Sequence, residues 1–254
     1  MTTPPRATLE RIVPDALEAD SATGRATLEL HLARYHFAVQ QLRGGRVLDL
    51  ACGVGYGSAV LAQAPGVSMV VGGDISLAAL RHARRHYADP AVRLGCGSYA
   101  DWLRPASFDG IVSLETIEHV PDPALLLQQF ARALRPGGIL VASVPVTPSV
   151  DANPHHLTDF TPASFRSLCQ GAGFVEVASM EQVQPYSPIR IVTRQEERVQ
   201  DMRQGLLKYY AAHPGAAIRR VLATLRYGFT NRYLTVAWAK PLPTSASAAE
   251  LLAG

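Results

Sequence analysis

The chain reads as an α/β fold, a mostly parallel sheet with helices on both faces. Three observations predict it. From residue 46 onward, short apolar runs alternate with segments of helical period, the pattern of successive βαβ units with right-handed crossovers. The first run, Val47-Leu48-Asp49-Leu50, passes directly into glycines at alternate positions, Gly53, Gly55 and Gly57, and then into Ser58-Ala59-Val60-Leu61-Ala62. That is a buried strand, a tight loop without Cβ obstruction and a helix start whose amide N–H groups point at the loop. The second run ends in Gly72-Gly73-Asp74. An acid there lies beyond the carboxyl ends of the strands, where open α/β sheets bind their ligands.

The elements follow in order. Residues 1–24 are rich in Pro, Thr, Ala and acids and read as a flexible lead-in. Leu28, Leu32, Tyr35, Val39 and Leu42 recur at helical spacing, so 25–43 is expected as an amphipathic helix ended by Gly44-Gly45. Strands are expected at 46–50, 67–73, 92–95, 109–114 and 138–144. Helices are expected at 57–64, at 76–87 with Ser76 as its cap, and at 123–134 opened by Pro121-Asp122-Pro123. Arg135-Pro136-Gly137-Gly138 marks a sharp stop. A helix at 161–171, a strand at 174–180 and a last alternating strand at 233–239 complete the pattern. The expected organisation is one domain over 25–240, with a ligand-binding core at 46–180. A helical lid or interface insert at 181–232, the last strand at 233–240 and a disordered tail at 241–254 follow. No internal repeat is visible.

Composition narrows the function classes. With 254 residues, 48% of them hydrophobic, the chain can bury one substantial core. Charged residues are only 18% and the net charge is +3, so nothing demands nucleic acid. Charge is uneven, though: residues 190–240 carry ten Arg or Lys against three acids. Two readings stand for that segment, a solvated helical face and a surface turned toward an anionic substrate or membrane. Cys52, Cys96 and Cys169 lie far apart without a C-x-x-C, which argues against a disulfide framework or zinc site. No apolar run approaches the ~20 residues of a membrane span, and the amino end lacks a signal-peptide pattern. A cytoplasmic location is expected.

The glycine spacing selects the ligand. Dinucleotide sites follow G-x-G-x-x-G. Here the pattern is G-x-G-x-G, Ser58 stands where the third dinucleotide glycine belongs, and Asp49 precedes the first glycine by four residues. A dehydrogenase is thereby disfavoured. The motif resembles the first motif of class I S-adenosylmethionine-dependent methyltransferases. The resemblance implies a Rossmann-like fold with a seven-stranded sheet, an antiparallel last strand and S-adenosyl-L-methionine as cofactor. It implies that Ala51, Gly53, Gly55 and Gly57 border the cofactor, and Tyr56 is either a wall over the methionine tail or a packed aromatic. Asp49, buried in its strand, needs partners, either loop amides or the cofactor amino group through water. Asp74 is expected to accept the ribose hydroxyls, and Ile75 to pack on the adenine. Where the family has Gly-Asp after strand three, this chain has Gly97-Ser98. Ser98 or the backbone around Tyr99 would then take the adenine amino group, with Trp102 stacking. Arg34 either clamps the cofactor carboxylate or is a solvated arginine.

Strand four ends in Glu115-Thr116-Ile117-Glu118-His119. This resembles the E-x-x-E-H signature of small-molecule O-methyltransferases, including the ubiquinone-pathway enzymes, which implies that Glu115 lies at the cofactor and that Glu118 and His119 border the acceptor. Some relatives recruit a divalent metal there. No dedicated acidic cage is visible in this chain, so no metal is expected. Beyond strand five, Asn153-Pro154-His155-His156 resembles a string of sugar-pathway methyltransferases. His156, oriented by Asp159 or Glu118, is the first candidate for general base, followed by His119 and then His155. The expected function is O-methylation of a small hydroxylated substrate, a sugar, glycan or secondary metabolite. N- or C-methylation and a non-catalytic cofactor-binding scaffold are the alternatives. A homodimer through residues 181–232 is the expected assembly, with no nucleic-acid partner.

Overall fold

The computed structural model describes residues 13–14, 22–98, 103–187, 203 and 205–243. Tyr99 and Trp102, most of the lead-in and residues 244–254 of the tail lie outside the described residues, as do 188–202 of the insert. The elements are α1 (Ala22–Gln41), β1 (Gly45–Leu50), α2 (Tyr56–Ala62), β2 (Val67–Asp74), α3 (Leu77–His86), β3 (Val92–Cys96) and β4 (Phe108–Leu114). A single 3₁₀ turn at Ile117–His119 precedes α4 (Pro123–Ala133) and β5 (Leu134–Pro145). Then come α5 (Pro162–Gly171), β6 (Val175–Pro185), α6 (Leu206–Ala212), α7 (Pro214–Tyr227) and β7 (Thr230–Ala239).

The seven strands form one sheet in the order β3-β2-β1-β4-β5-β7-β6, with β7 antiparallel to both neighbours. The chain leaves β1 toward β2 on one side and β4 pairs on the other, so the strand order reverses at β1. Asp49 is in register with Gly72 of β2 and Val112 of β4, which brings three strand ends level around that crevice. Side chains of β1 alternate between two cores. Leu48 and Leu50 join Ile111, Phe130, Leu140, Phe165 and Trp238 on one face. Val47 joins Tyr35, Leu61, Val70, Val112 and Val141 on the other. Burial on both faces is what makes these strands read as continuous apolar runs.

Most elements fall where the residue pattern places them, and four differ. The helix at α4 passes into β5 without a break, so Arg135-Pro136-Gly137-Gly138 lies inside the strand span, beside a register shift on β4. Gly137, at φ 76°, takes a conformation that a side chain would strain. β6 runs on to Pro185 because its partner β7 already begins at Thr230, pairing Pro185 with Thr230. The expected insert therefore starts and ends inside the β6–β7 hairpin. Finally, α1 does not bury its leucines. Its sealed face is Thr27, Arg34, Tyr35 and Ala38, while Leu28 and Leu32 are half-buried. The reason is a polar seam with β6: Gln182 donates to the Leu30 carbonyl at 3.1 Å, and Gln184 donates to Thr27 Oγ1 at 2.9 Å.

Candidate active site

The loop from β1 to α2 uses its three glycines for three different purposes. Gly53 has φ 57°, and a Cβ built on it would meet nothing within 4 Å. Its open side faces a cavity of about 380 Å³ bordered by Ala51, Gly53, Asp74, Ile75, Gly97, Glu115 and His119, the size of a small-ligand site. Gly55, at φ 91°, caps α2 and abuts Ala83 of α3. Gly57 is pressed against the Tyr35 ring. Only Gly53 lines the cavity. Gly55 and Gly57 make room for α3 and α1. Ala51 reaches a positive φ of 61° without being glycine, as backbone at functional strand ends often does.

Asp74 closes the loop from the other side. Its Oδ2 accepts the Gly53 N–H at 2.9 Å and its Oδ1 accepts the Ser76 N–H at 2.8 Å, which fixes the carboxylate at the cavity edge. Ser76, as expected, caps α3 by accepting the Ala79 N–H at 3.3 Å. Ile75 is exposed on the wall. Ser98 is exposed and is not among the lining residues, whereas the neighbouring Gly97 is. Tyr56 stands on the wall, 3.2 Å from His31 Nδ1 and edge-on to Tyr35 and Tyr87.

Asp49 is completely buried behind the loop and is not on the cavity wall. Its side-chain partners are two hydroxyls. Ser58 donates to Oδ2 at 2.6 Å and Tyr35 donates to Oδ1 at 3.3 Å. The serine that replaces the dinucleotide glycine is thus the main partner of the strand acid. Burial pushes the Asp49 carboxyl up to about 7, the two hydroxyl bonds pull it back, and the Asp74 charge adds to the rise. The same burial pushes the Tyr35 hydroxyl up and keeps the Cys52 thiol protonated, well above its ordinary range.

Arg34 is neither solvated nor on the wall. It is 1% exposed; its Nε donates to Gln182 Oε1 at 2.7 Å, and its guanidinium lies 4.3 Å from the Tyr233 ring centre. Its Nη1 is 3.7 Å from Glu115 Oε1. Glu115 does line the cavity, held at φ 51°, with Ser143 Oγ donating to its carboxylate at 2.9 Å and accepting its N–H at 3.1 Å. Ser143 was missed from sequence. The available signal was a hydroxyl inside the apolar run of β5, where burial demands a partner.

The E-H pair and the post-β5 string come together as expected. Glu118 is fully buried, and His119 Nε2 is 4.0 Å from its Oε1. The His119 and His156 rings meet edge to face at 4.7 Å. His119 Nδ1 is 2.9 Å from the His155 carbonyl. A carbonyl only accepts, so Nδ1 carries the proton and neutral His119 has its lone pair on Nε2. His156 Nδ1 is 2.6 Å from Ser149 Oγ, and Ser149 donates onward to Asp159 Oδ1 at 3.5 Å. Asp159 acts through Ser149, a second residue that sequence reasoning did not single out. His119 and His155 line the cavity, while His156 stands behind His119.

Glu118, His119 and His156 offer ligand atoms within 4.8 Å of one another. One carboxylate and two imidazoles at that spacing suit a shared proton, and they equally suit a first-row divalent cation. The cavity fits the methionine-nucleoside that the motif implies: open space over Gly53 for close backbone approach, a fixed carboxylate for vicinal hydroxyls, and an apolar ledge at Ile75.

Comparisons with known proteins agree. Residues 48–142 match the family model described as a methyltransferase domain. A probable S-adenosylmethionine-dependent methyltransferase of Mycolicibacterium smegmatis is 32% identical over 172 residues, covering 65% of this chain. The chain spans 63% of that relative's length. A ubiquinone biosynthesis O-methyltransferase of Xylella fastidiosa is 38% identical over 107 residues, 40% of this chain and 42% of that one. Among solved structures, a Bacillus halodurans C-125 protein superposes with a TM-score of 0.65 at 18% identity, over 83% of this chain and 98% of its own. The [4+2]-cyclase SpnF gives 0.60 at 18% identity, over 90% and 86%. Among the described residues no helix is long and apolar enough to cross a membrane. With the reversed strand order at β1, the G-x-G-x-G loop and Asp74 at the cavity edge, these matches identify residues 48–142 as a methyltransferase domain and support a class I S-adenosylmethionine-dependent methyltransferase.

Proposed function

We propose that the chain transfers a methyl group to a hydroxyl of a small molecule, a sugar, glycan or secondary metabolite, and that its histidine cluster removes the hydroxyl proton. The observation that carries the reading is the wall position of His119, with Nδ1 tied to the His155 carbonyl and Nε2 turned toward the buried Glu118. Transfer to an alcohol needs a base in reach of the proton. An imidazole whose Nδ1 is tied to a carbonyl keeps Nε2 for the proton, and Glu118, 4.0 Å from Nε2, favours the imidazolium that forms. S-adenosylmethionine, when bound, supplies an electrophilic methyl on its sulfonium. The residues of this chain do the rest: Asp74 orients the ribose, Gly53 admits the ligand to the backbone, and Glu115 forms the wall between loop and acceptor side. Holding the acceptor oxygen in line with the methyl is the larger share of the task.

His156 takes a supporting place in this reading, stacked edge-on to His119 and held by Ser149 and Asp159. The test is transfer from a labelled methyl donor to a panel of hydroxylated acceptors, followed by the pH–rate profile on the best one. His119→Ala is expected to slow transfer by about 10²-fold or more and to abolish the acidic limb. If the limb persists in His119→Ala and vanishes in His156→Ala, the roles are exchanged. Transfer to amines alone, indifferent to both substitutions, would replace O-methylation with N-methylation.

A further inference from the structure

Helix α7 docks with the wrong face. Its contact side is Ala216, which is buried, and Arg220, whose Nη1 donates to the Pro148 carbonyl at 3.2 Å and Nη2 to the Tyr186 hydroxyl at 2.6 Å. Its apolar side points away from the protein. Ile218, Val221, Leu222 and Leu225 recur at i, i+3, i+4 and i+7, and are 60%, 57%, 59% and 78% exposed. A stripe at that spacing normally faces a core. Scattered exposed leucines need no explanation, but a contiguous stripe along one helix does.

Charge distinguishes among occupants. From residue 203 to residue 232 the chain carries six Arg or Lys and no acid. Arg219 and Arg226 are exposed and flank the stripe on the same side by helical position. A second copy seated on the stripe would set two such acid-free surfaces against each other, which like-charge repulsion opposes. An anionic lipid surface complements both features: the apolar side chains enter the headgroup boundary, and arginines at the edge of the stripe reach lipid phosphates.

We propose that α7 is an interfacial helix that seats the protein on an anionic membrane surface through Ile218, Val221, Leu222 and Leu225, with Arg226 on the headgroups and Arg219, 61% exposed beside Asp151, adding its charge at the edge of the stripe. The helix is tied to the loop between β5 and α5 by Arg220 to Pro148 and by Arg219, 3.8 Å from Asp151. That loop also carries His155 and His156. The proposal does not rest on methyl transfer and is tested without it.

The experiment is vesicle co-sedimentation of the full chain. Vesicles of phosphatidylcholine with phosphatidylglycerol are expected to pellet it, phosphatidylcholine alone much less, and high salt to reverse part of the binding. The double variant Leu222→Asp/Leu225→Asp is expected to lose at least tenfold in partitioning with an unchanged melting temperature. Arg219→Glu/Arg226→Glu is expected to lose the preference for anionic vesicles. No pelleting of the wild type, or equal pelleting of the aspartate variant, overturns the proposal. So does a lowered melting temperature of that variant without vesicle binding, which would assign the stripe to the chain's own residues 188–202. Sedimentation velocity showing a dimer that the aspartate variant breaks, again without vesicle binding, would assign it to a second copy.

Discussion

The Arg34 guanidinium lies 3.7 Å from the Glu115 carboxylate, with the two side chains 1% and 17% exposed. This contact makes α1 part of the site, because Glu115 forms the cavity wall at a positive φ that the surroundings must enforce. Removing the cation leaves the buried Gln182 Oε1 without its donor and Glu115, on the cavity wall, without its charged neighbour. Arg34→Ala is therefore expected to cost about 3–5 kcal/mol of stability, the range for breaking a buried pair, read by denaturant titration. Arg34→Lys should recover little, since one ammonium cannot both donate to Gln182 and reach Glu115 while stacking on Tyr233. Full recovery with lysine would show that charge alone matters.

Asp74→Ala is expected to weaken S-adenosylhomocysteine binding at least about tenfold, or 1.4 kcal/mol, by calorimetry. Asp74→Asn separates two contributions. It keeps an oxygen for the Gly53 N–H but loses the charge that favours the ribose hydroxyls. An unchanged affinity in both variants would remove Asp74 from the ribose.

The glycines should behave oppositely. Gly57→Ala drives a methyl into the Tyr35 ring and is expected to destabilise the fold by about 1–3 kcal/mol through overpacking. Gly53→Ala places its methyl in open space at φ 57°; it should cost about 1–2 kcal/mol of backbone strain and impair cofactor binding out of proportion. If Gly57→Ala impaired binding while leaving stability intact, the assignment of that glycine to packing would fail.

Asp49 predicts an unusual pH dependence. Its folded carboxyl is pushed up to about 7 from an ordinary value of 3.8. Between those values the folded protein holds a proton that the unfolded chain has lost. Stability from this group is therefore greatest below about pH 4 and declines as pH rises toward 7. Asp49→Asn retains an acceptor for Ser58 and removes the titration. Thermal melts should show the variant gaining on the wild type as pH rises from 4 to 8, by at most about 4 kcal/mol. Parallel curves would mean that Asp49 is ionised throughout.

Chelation tests the Glu118–His119–His156 cluster. With one buried carboxylate among the three groups, the proton-sharing reading expects a strong chelator to leave transfer unchanged. Loss of activity that a divalent metal restores would convert the histidines from base and support into ligands.

Much of this was legible in local pattern. The β-α alternation, the strand-four and strand-five runs, the Ser76 and Asp122 caps and the G-x-G-x-G loop all express short-range periodicity or backbone geometry, which a sequence displays directly. What stayed hidden depends on contacts between distant segments. The stripe Ile218–Leu225 has the period of a core face, yet tertiary packing turned it outward by docking Ala216 and Arg220 instead. The leucines of α1 predicted a buried stripe, yet Gln182 and Gln184 of β6 selected the polar side, because a buried arginine requires partners that only a neighbouring strand can supply.

The sequence by itself determined the fold class, the cofactor loop with its glycine spacing, and the acid that follows β2. Tertiary structure decided which of the three loop glycines lines the cavity, that Ser58 and Tyr35 hold Asp49, that Arg34 lies beside Glu115, and that His119 rather than His156 stands on the cavity wall. The physical reason is one of range. Backbone conformation and strand burial are specified within a few residues, whereas the partner of a buried polar group is specified only by the fold that carries it there.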